Sequence, residues 1–212
     1  MKGTALFFAL MLAAIHTAWA GMEDDVARVR QQWERIKYQT PAKTQEEAYE
    51  KLAKESAQVM RQYPKQAEPA IWHGIVEASY AGAKGGLGAL SLVKSARKSF
   101  EAALELNPEA LNGSAYTSLG SLYYQVPGWP IGFGDEKKAL ELLRKGLAIN
   151  PDGIDPNFFL GDYLYRTGDY AGAEQALKKA LQAAPREGRK VADEGRRNEI
   201  AELMEKIRDK KR

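Results

Sequence analysis

The sequence predicts an all-α protein, a solenoid of about three helical hairpins with capping helices at both ends. A short phrase ending in proline recurs three times, as Leu104-Glu105-Leu106-Asn107-Pro108, Leu147-Ala148-Ile149-Asn150-Pro151 and Leu181-Gln182-Ala183-Ala184-Pro185. Counting back from each proline, like residues return at like offsets. Alanine stands at Ala96, Ala139 and Ala173, a bulky apolar residue at Phe100, Leu143 and Leu177, and a small residue at Ala103, Gly146 and Ala180. Small residues let two helices approach closely, and proline ends a helix because it lacks the N–H donor and clashes with the preceding turn. Such self-similarity marks stacked units, each too small to bury its apolar face alone.

The first segment, residues 1–20, reads as a cleavable export signal. Lys2 precedes an apolar run from Ala5 to Ile15, and the small-residue triplet Ala18-Trp19-Ala20 stands before the acidic Glu23-Asp24-Asp25. The run is too short to span a bilayer, and no other segment approaches the roughly 18 apolar residues that spanning needs. The mature chain is therefore expected to begin near Gly21 without stable membrane insertion, a retained anchor being the alternative. The sequence has no cysteine, which excludes lipid attachment at a cysteine and disulfides, so stability must come from packing. Loss of Lys2 takes the formal charge from +3 to +2, with both signs interspersed, which speaks against a nucleic-acid partner. Lys210-Lys211-Arg212 reads as a solvated tail.

Residues 21–68 read as an N-terminal cap or degenerate repeat. Val26, Val29, Trp33 and Ile36 form a stripe at helical spacing that Pro41 stops. Thr44 and Glu47 make a capping-box signature for a second helix ending near Tyr63-Pro64. Three hairpins follow, at 69–112, 113–153 and 154–187. The third carries Leu160-Gly161, Leu164 and a turn at Gly168, and Asp155-Pro156 supplies its start. The second carries Tyr116, Leu119-Gly120, Tyr123 and then Gly134, while the first matches less well, with Trp72, Ile75 and Val76 in the apolar places. In 188–212, Ile200, Leu203, Met204 and Ile207 line one face of a charged helix, as suits a terminal cap.

These features resemble the tetratricopeptide repeat (TPR), a helix–turn–helix unit of about 34 residues with an aromatic, Leu-Gly, Tyr, Ala, Phe, Ala, Pro pattern. The resemblance covers residues 69 to 187, and the third unit departs from it at Asn157 and Leu164. Pro64 to Pro108 is 44 residues and Pro108 to Pro151 is 43. The first two units thus carry roughly ten extra residues each between their helices, at 82–95 and 127–134. Lying at the same place in adjacent units, the two insertions are expected side by side as a lip on one edge.

No catalytic, cofactor-binding or metal-binding residues are expected. Beyond the leader His73 is the one histidine, no cysteine exists, no Gly-x-Ser-x-Gly elbow is present, and Gly85-Gly86-Leu87-Gly88 follows a helix rather than the strand of a phosphate loop. Asn112-Gly113-Ser114 matches a glycosylation sequon but falls where a turn is expected.

The resemblance implies that the first helices line a concave face that holds ligands. Setting the units in register places Tyr80, Tyr124 and Tyr165 at one position of that face, Glu77, Ser121 and Asp162 at a second, and His73, Thr117 and Phe158 at a third, with Arg166 beside Tyr165. The tyrosines are either a binding ladder or ordinary core, and His73 is a contact or a packed residue. In the second insertion Trp129 and Phe133 either close the hairpin or bind directly. The resemblance therefore implies a scaffold or adaptor for a protein or peptide, and the export signal, the absent lipid-attachment cysteine and the family's usual context place it in the periplasm, with secretion beyond the cell as the alternative. The competing reading is a small-molecule or lipid carrier, similar in plan to the exported repeat proteins associated with tripartite periplasmic transporters, which needs a deep enclosed pocket.

Overall fold

The computed structural model describes residues 3–212, with side chains from Gly21 onward. The expected leader, 1–20, lies outside the residues whose side chains are described. Nine helices follow one another, and no strand occurs among the described residues: α1 (Gly3–Gln39), α2 (Ala42–Gln62), α3 (Ala67–Lys84), α4 (Ala89–Leu106), α5 (Ala110–Gln125), α6 (Glu136–Ile149), α7 (Ile154–Arg166), α8 (Tyr170–Leu181) and α9 (Lys190–Lys210). None of the described helices is long and apolar enough to cross a membrane.

The packing follows the repeat columns. Ala96, Ala139, Ala173, Phe100, Leu143, Leu177, Ala103 and Ala180 are all fully buried, and Gly146 is buried with them. Opposite these residues one glycine of each first helix brings the pair together. A Cβ at Gly74 would lie 2.6 Å from the Phe100 ring, and one at Gly120 or Gly161 would lie 2.9 Å from Leu143 or Leu177. The hairpins are thus α3/α4, α5/α6 and α7/α8, preceded by α1/α2. Within the described part of α1, Met22, Val26, Val29, Trp33 and Ile36 form a packed stripe with Trp72, Val76 and Tyr80 of α3.

The connections differ from expectation in three places. The first insertion, expected over 82–95, is almost wholly helical, with only Gly85–Gly88 between α3 and α4. The second, 127–134, is a true loop. At α2 the capping box does not form: Pro41 is the cap, Thr44 Oγ1 donates to the Pro41 carbonyl at 3.0 Å, and Glu47 pairs with Lys51. At α7 the cap is Gly153, and the Asp155 carboxylate is engaged elsewhere. The expected turn before the second unit is present, with Leu111, Asn112 and Gly113 all at positive φ before the regular helix.

The solenoid closes on itself. Each of α1, α3, α5 and α7 touches the next, α7 touches α9, and α9 touches α1, so five inner helices form a ring with α2, α4, α6 and α8 outside. The pairs Glu34–Arg189 and Tyr38–Gly195 ascend together along α1 and the segment leading through α9, so these helices run in the same direction. A side chain at Gly195 would strike the Tyr38 ring, so glycine is what permits this approach.

Candidate functional site

The ring closure decides where the ten expected binding residues lie. His73, Glu77, Tyr80, Thr117 and Phe158 are buried within the chain, Ser121, Tyr124, Asp162 and Tyr165 are half-buried, and Arg166 is exposed. Among the described residues no open groove runs along the whole column.

The first unit also sits in another register. Gly74 occupies the place of Gly120 and Gly161 against the second helix, so His73 takes the position of Leu119 and Leu160, and Glu77 that of Tyr123 and Leu164. Four residues beyond the glycine come Tyr124 and Tyr165 in two units but Ala78 in the first. The tyrosine ladder therefore has two rungs, and Tyr80 instead packs against α1 with the Lys84 ammonium over its ring.

In their actual register His73 and Glu77 belong to a buried polar line between α2, α3 and α4. Ser56 Oγ lies 2.9 Å from His73 Nδ1, and His73 Nε2 lies 3.4 Å from Glu77 Oε2. Burial, with Arg61 adding to it, pulls the His73 imidazole down to about 4. Burial pushes the Glu77 carboxyl up, a hydrogen bond to Ser95 pulling the other way. These are the residue types of a nucleophile, base and orienter, but Ser56 is 1% exposed and its hydroxyl lies 3.1 Å from the Ala53 carbonyl oxygen. The hollow beside it, among Val26, Val29, Val59, Pro69 and Trp72, is too narrow for a water. Ser56 is therefore sealed from solvent in this arrangement.

A second charged cluster clasps the ring. Arg189 pairs with Glu34, and Lys37 Nζ and the Tyr38 hydroxyl lie 3.0 and 3.5 Å from Glu199. Asp155 receives Arg186 at 2.6 Å and Arg196 at 2.9 Å, and the Arg196 guanidinium lies 4.2 Å from the centre of the Phe158 ring. Burial pushes the Asp155 carboxyl up, but Arg196 and Arg186 outweigh it and bring it down to about 2. This seam carries an open cleft of about 300 Å³ lined by Lys37, Tyr38, Gly195 and Glu199 among others. Neither hollow is the enclosed apolar pocket a carrier requires.

The accessible remainder of the column lies at the C-terminal ends of α5 and α7. Tyr124 donates to Asp162 Oδ2 at 2.8 Å, and Arg166 Nε reaches the same oxygen at 3.1 Å with its guanidinium over the Tyr124 ring. Burial and the Asp162 charge hold the Tyr124 hydroxyl well above the ordinary phenol range, so it remains a donor. Tyr165 meets Tyr170 at a tilt of 51°, with 5.7 Å between ring centres. All four of Tyr124, Asp162, Tyr165 and Arg166 are among the residues that the sequence register assigned to the inner face.

The lip splits in two. Phe133 turns inward, edge-on to Tyr123 at 5.4 Å and beneath the Arg97 guanidinium at 5.1 Å. Trp129 points out and is 90% exposed, so it does not close the hairpin.

Comparison with known proteins agrees with this architecture. Residues 131–193, from the lip through α8 into α9, match the family model described as tetratricopeptide repeat. No curated protein matches. Similar solved structures include TTC0263, a thermophilic TPR protein of Thermus thermophilus, at 18% identity over 88% of this chain and 80% of that one, with a TM-score of 0.60. MamA is similar at 17% identity over 77% of this chain and 89% of that one, with a TM-score of 0.46. The first likeness establishes the fold as a TPR-type solenoid.

Proposed function

We propose that this chain is an exported, periplasmic, non-catalytic scaffold that holds a protein or peptide partner on the Tyr124–Asp162–Arg166 surface, with Tyr165 and Ser121 at its margin. The observation that carries the reading is the pre-set hydrogen-bond network at a stretch of the inner column that solvent reaches among the described residues. Two tyrosines offer flat area at low entropic cost, and one carboxylate and one guanidinium suit a polar partner. TPR-type solenoids serve protein interaction in general, which favours such a partner without identifying it. Export rests on the leader expected over residues 1–20, where Lys2, the apolar run and Ala18-Trp19-Ala20 have the layout of an export signal.

The test is affinity capture from periplasmic extract with the mature protein, beside Tyr165→Ala and Arg166→Glu variants. A protein retained by the parent and lost in both variants is the expected result. Retention unchanged in both, or an N-terminus that is never processed near Gly21 in the cell, overturns the corresponding half of the reading.

A further inference from the structure

The proposed partner surface leaves the most exposed large apolar side chains among the described residues without a role. Trp129 is 90% exposed, Leu87 85% and Ile131 60%. Leu87 lies in the turn between α3 and α4, and Trp129 and Ile131 in the loop between α5 and α6. Both connections join an inner helix to its outer partner, so in the stacked array they project from the same end of the ring.

The second loop is built to present these residues. Gly134 N donates to the Pro127 carbonyl at 3.0 Å, Gly132 N to Gly128 at 3.1 Å and Asp135 N to Tyr123 at 2.8 Å. Phe133 anchors the loop from beneath, on Tyr123 and Arg97. A tryptophan held outward on a loop fixed from within loses little further entropy when it meets a ligand.

The shape and charge of this end select the ligand. Separate apolar tips that protrude suit a fluid interface, in which each tip makes its own space, better than a preformed pocket. Tryptophan favours the headgroup level of a bilayer, where its ring is half in hydrocarbon and its N–H stays wet. From Ala78 to Ser99 the charged residues are Lys84, Lys94, Arg97 and Lys98, with no acid among them. Lys84 pairs with Glu46 and Arg97 with Glu101, while Lys94 and Lys98 are exposed. Across the loop Asp135 is used as the cap of α6, and Glu136 is followed by Lys137 and Lys138. The end is therefore both apolar-tipped and basic on its α3/α4 side. Weak apolar insertion joined to a basic patch is the two-signal arrangement that gives reversible membrane attachment.

We infer that this end of the ring docks peripherally on an anionic lipid bilayer, with Trp129, Ile131 and Leu87 inserted at the headgroup level and Lys94 and Lys98 facing the lipid charge. This surface adjoins the Tyr124–Asp162–Arg166 patch at the same end of the ring but shares no residue with it, so variants in one leave the other's side chains in place and either proposal can fail alone.

The test uses the mature protein with vesicles of phosphatidylcholine alone or mixed with phosphatidylglycerol, read by co-sedimentation and tryptophan emission. Trp33 and Trp72 are buried, so a shift in emission on binding reports Trp129. Binding with a blue shift is expected on the anionic vesicles only. It should weaken by about tenfold or more in Lys94→Glu/Lys98→Glu, since each basic residue near such a surface contributes about fivefold. It should vanish in Trp129→Ser/Ile131→Ser with helical content unchanged. Absence of binding to anionic vesicles overturns the inference, as does binding that survives the loop variant. A protein captured by the parent and lost in the loop variant, without vesicle binding, would overturn it in favour of a protein partner at the same tips.

Discussion

The hairpins α3/α4 and α5/α6 each carry about ten residues more than the repeat length of about 34, yet they use them in opposite ways. In the first, the extra chain becomes helix: α3 and α4 have 18 residues each, against 13 and 12 in α7 and α8. In the second it stays a loop. Composition decides the outcome. After Gly85–Gly88 the chain offers Ala89-Leu90-Ser91-Leu92 and no proline, so nothing stops the helix from starting at once. Pro127 and Pro130 break any helix in the second insertion, and Gly132 and Gly134 sit where a Cβ would strike the backbone at Val126 and Pro127, so the loop folds onto its own carbonyls. Insertions of equal length at equivalent places need not be equivalent in space.

The glycine contacts within α3/α4 test its register first. Gly74→Ala puts a methyl 2.6 Å from the fully buried Phe100 ring and is expected to cost about 3 kcal/mol in urea unfolding. Gly82→Ala in the same helix meets open space and should stabilise by about 0.5–1 kcal/mol through helix propensity. Equal effects at the two positions would remove the register assigned to the first unit.

Next in size is the acid sensitivity of the same hairpin. His73 titrates near 6.5 in the unfolded chain and about 4 when folded, so the unfolded state binds the extra proton between those values. Stability from the neutral buried ring is complete above pH 6.5 and is lost as pH falls toward 4, by about 2 kcal/mol at pH 5. Glu77, raised by burial, acts with the opposite sign and softens the loss just above its unfolded value. His73→Leu, matching Leu119 and Leu160, should flatten the fall in melting temperature between pH 7 and pH 5. An unchanged slope would place the acid sensitivity elsewhere. The seam carboxylate Asp155, held down to about 2, loses its contribution only as pH falls below about 3.8 toward 2, so the two sources separate by pH.

The difference between the hairpins also marks what the sequence could reveal. The columns Ala96/Ala139/Ala173 and Phe100/Leu143/Leu177 were legible because each is counted from a proline that ends its helix. The register of α3 was not, because His73 and Glu77 stand where apolar residues stand in the other units, and hydropathy then points to the wrong face. The signal that restores it is the glycine: His73-Gly74 aligns with Leu119-Gly120 and Leu160-Gly161. Ring closure leaves no such trace. It rests on Gly195 beneath Tyr38 and on single charges such as Glu34 and Arg189, which have no period and read as solvated until the fold joins the two ends. The neighbourhood of Tyr124, Asp162, Tyr165 and Arg166 was legible because the second and third units keep the pattern.

The smallest effects are expected in the second loop, and they separate anchor from tip. Phe133 lies half-buried between Tyr123 and Arg97, so Phe133→Ala removes an aromatic pair and a cation–π contact and should cost about 1 kcal/mol. Trp129, almost wholly in solvent, contributes little to the folded state, and Trp129→Ser should change stability by less than about 0.5 kcal/mol. Both are measurable by urea titration of the mature protein. If the tip proves as costly as the anchor, Trp129 packs in solution against something within the chain, and the opposition between an internally spent insertion and an outwardly spent one fails. If the order holds, Phe133 is the anchor that folding needs and Trp129 a tip that folding does not use, so a substitution at Trp129 can report on vesicle binding without disturbing the loop that carries it.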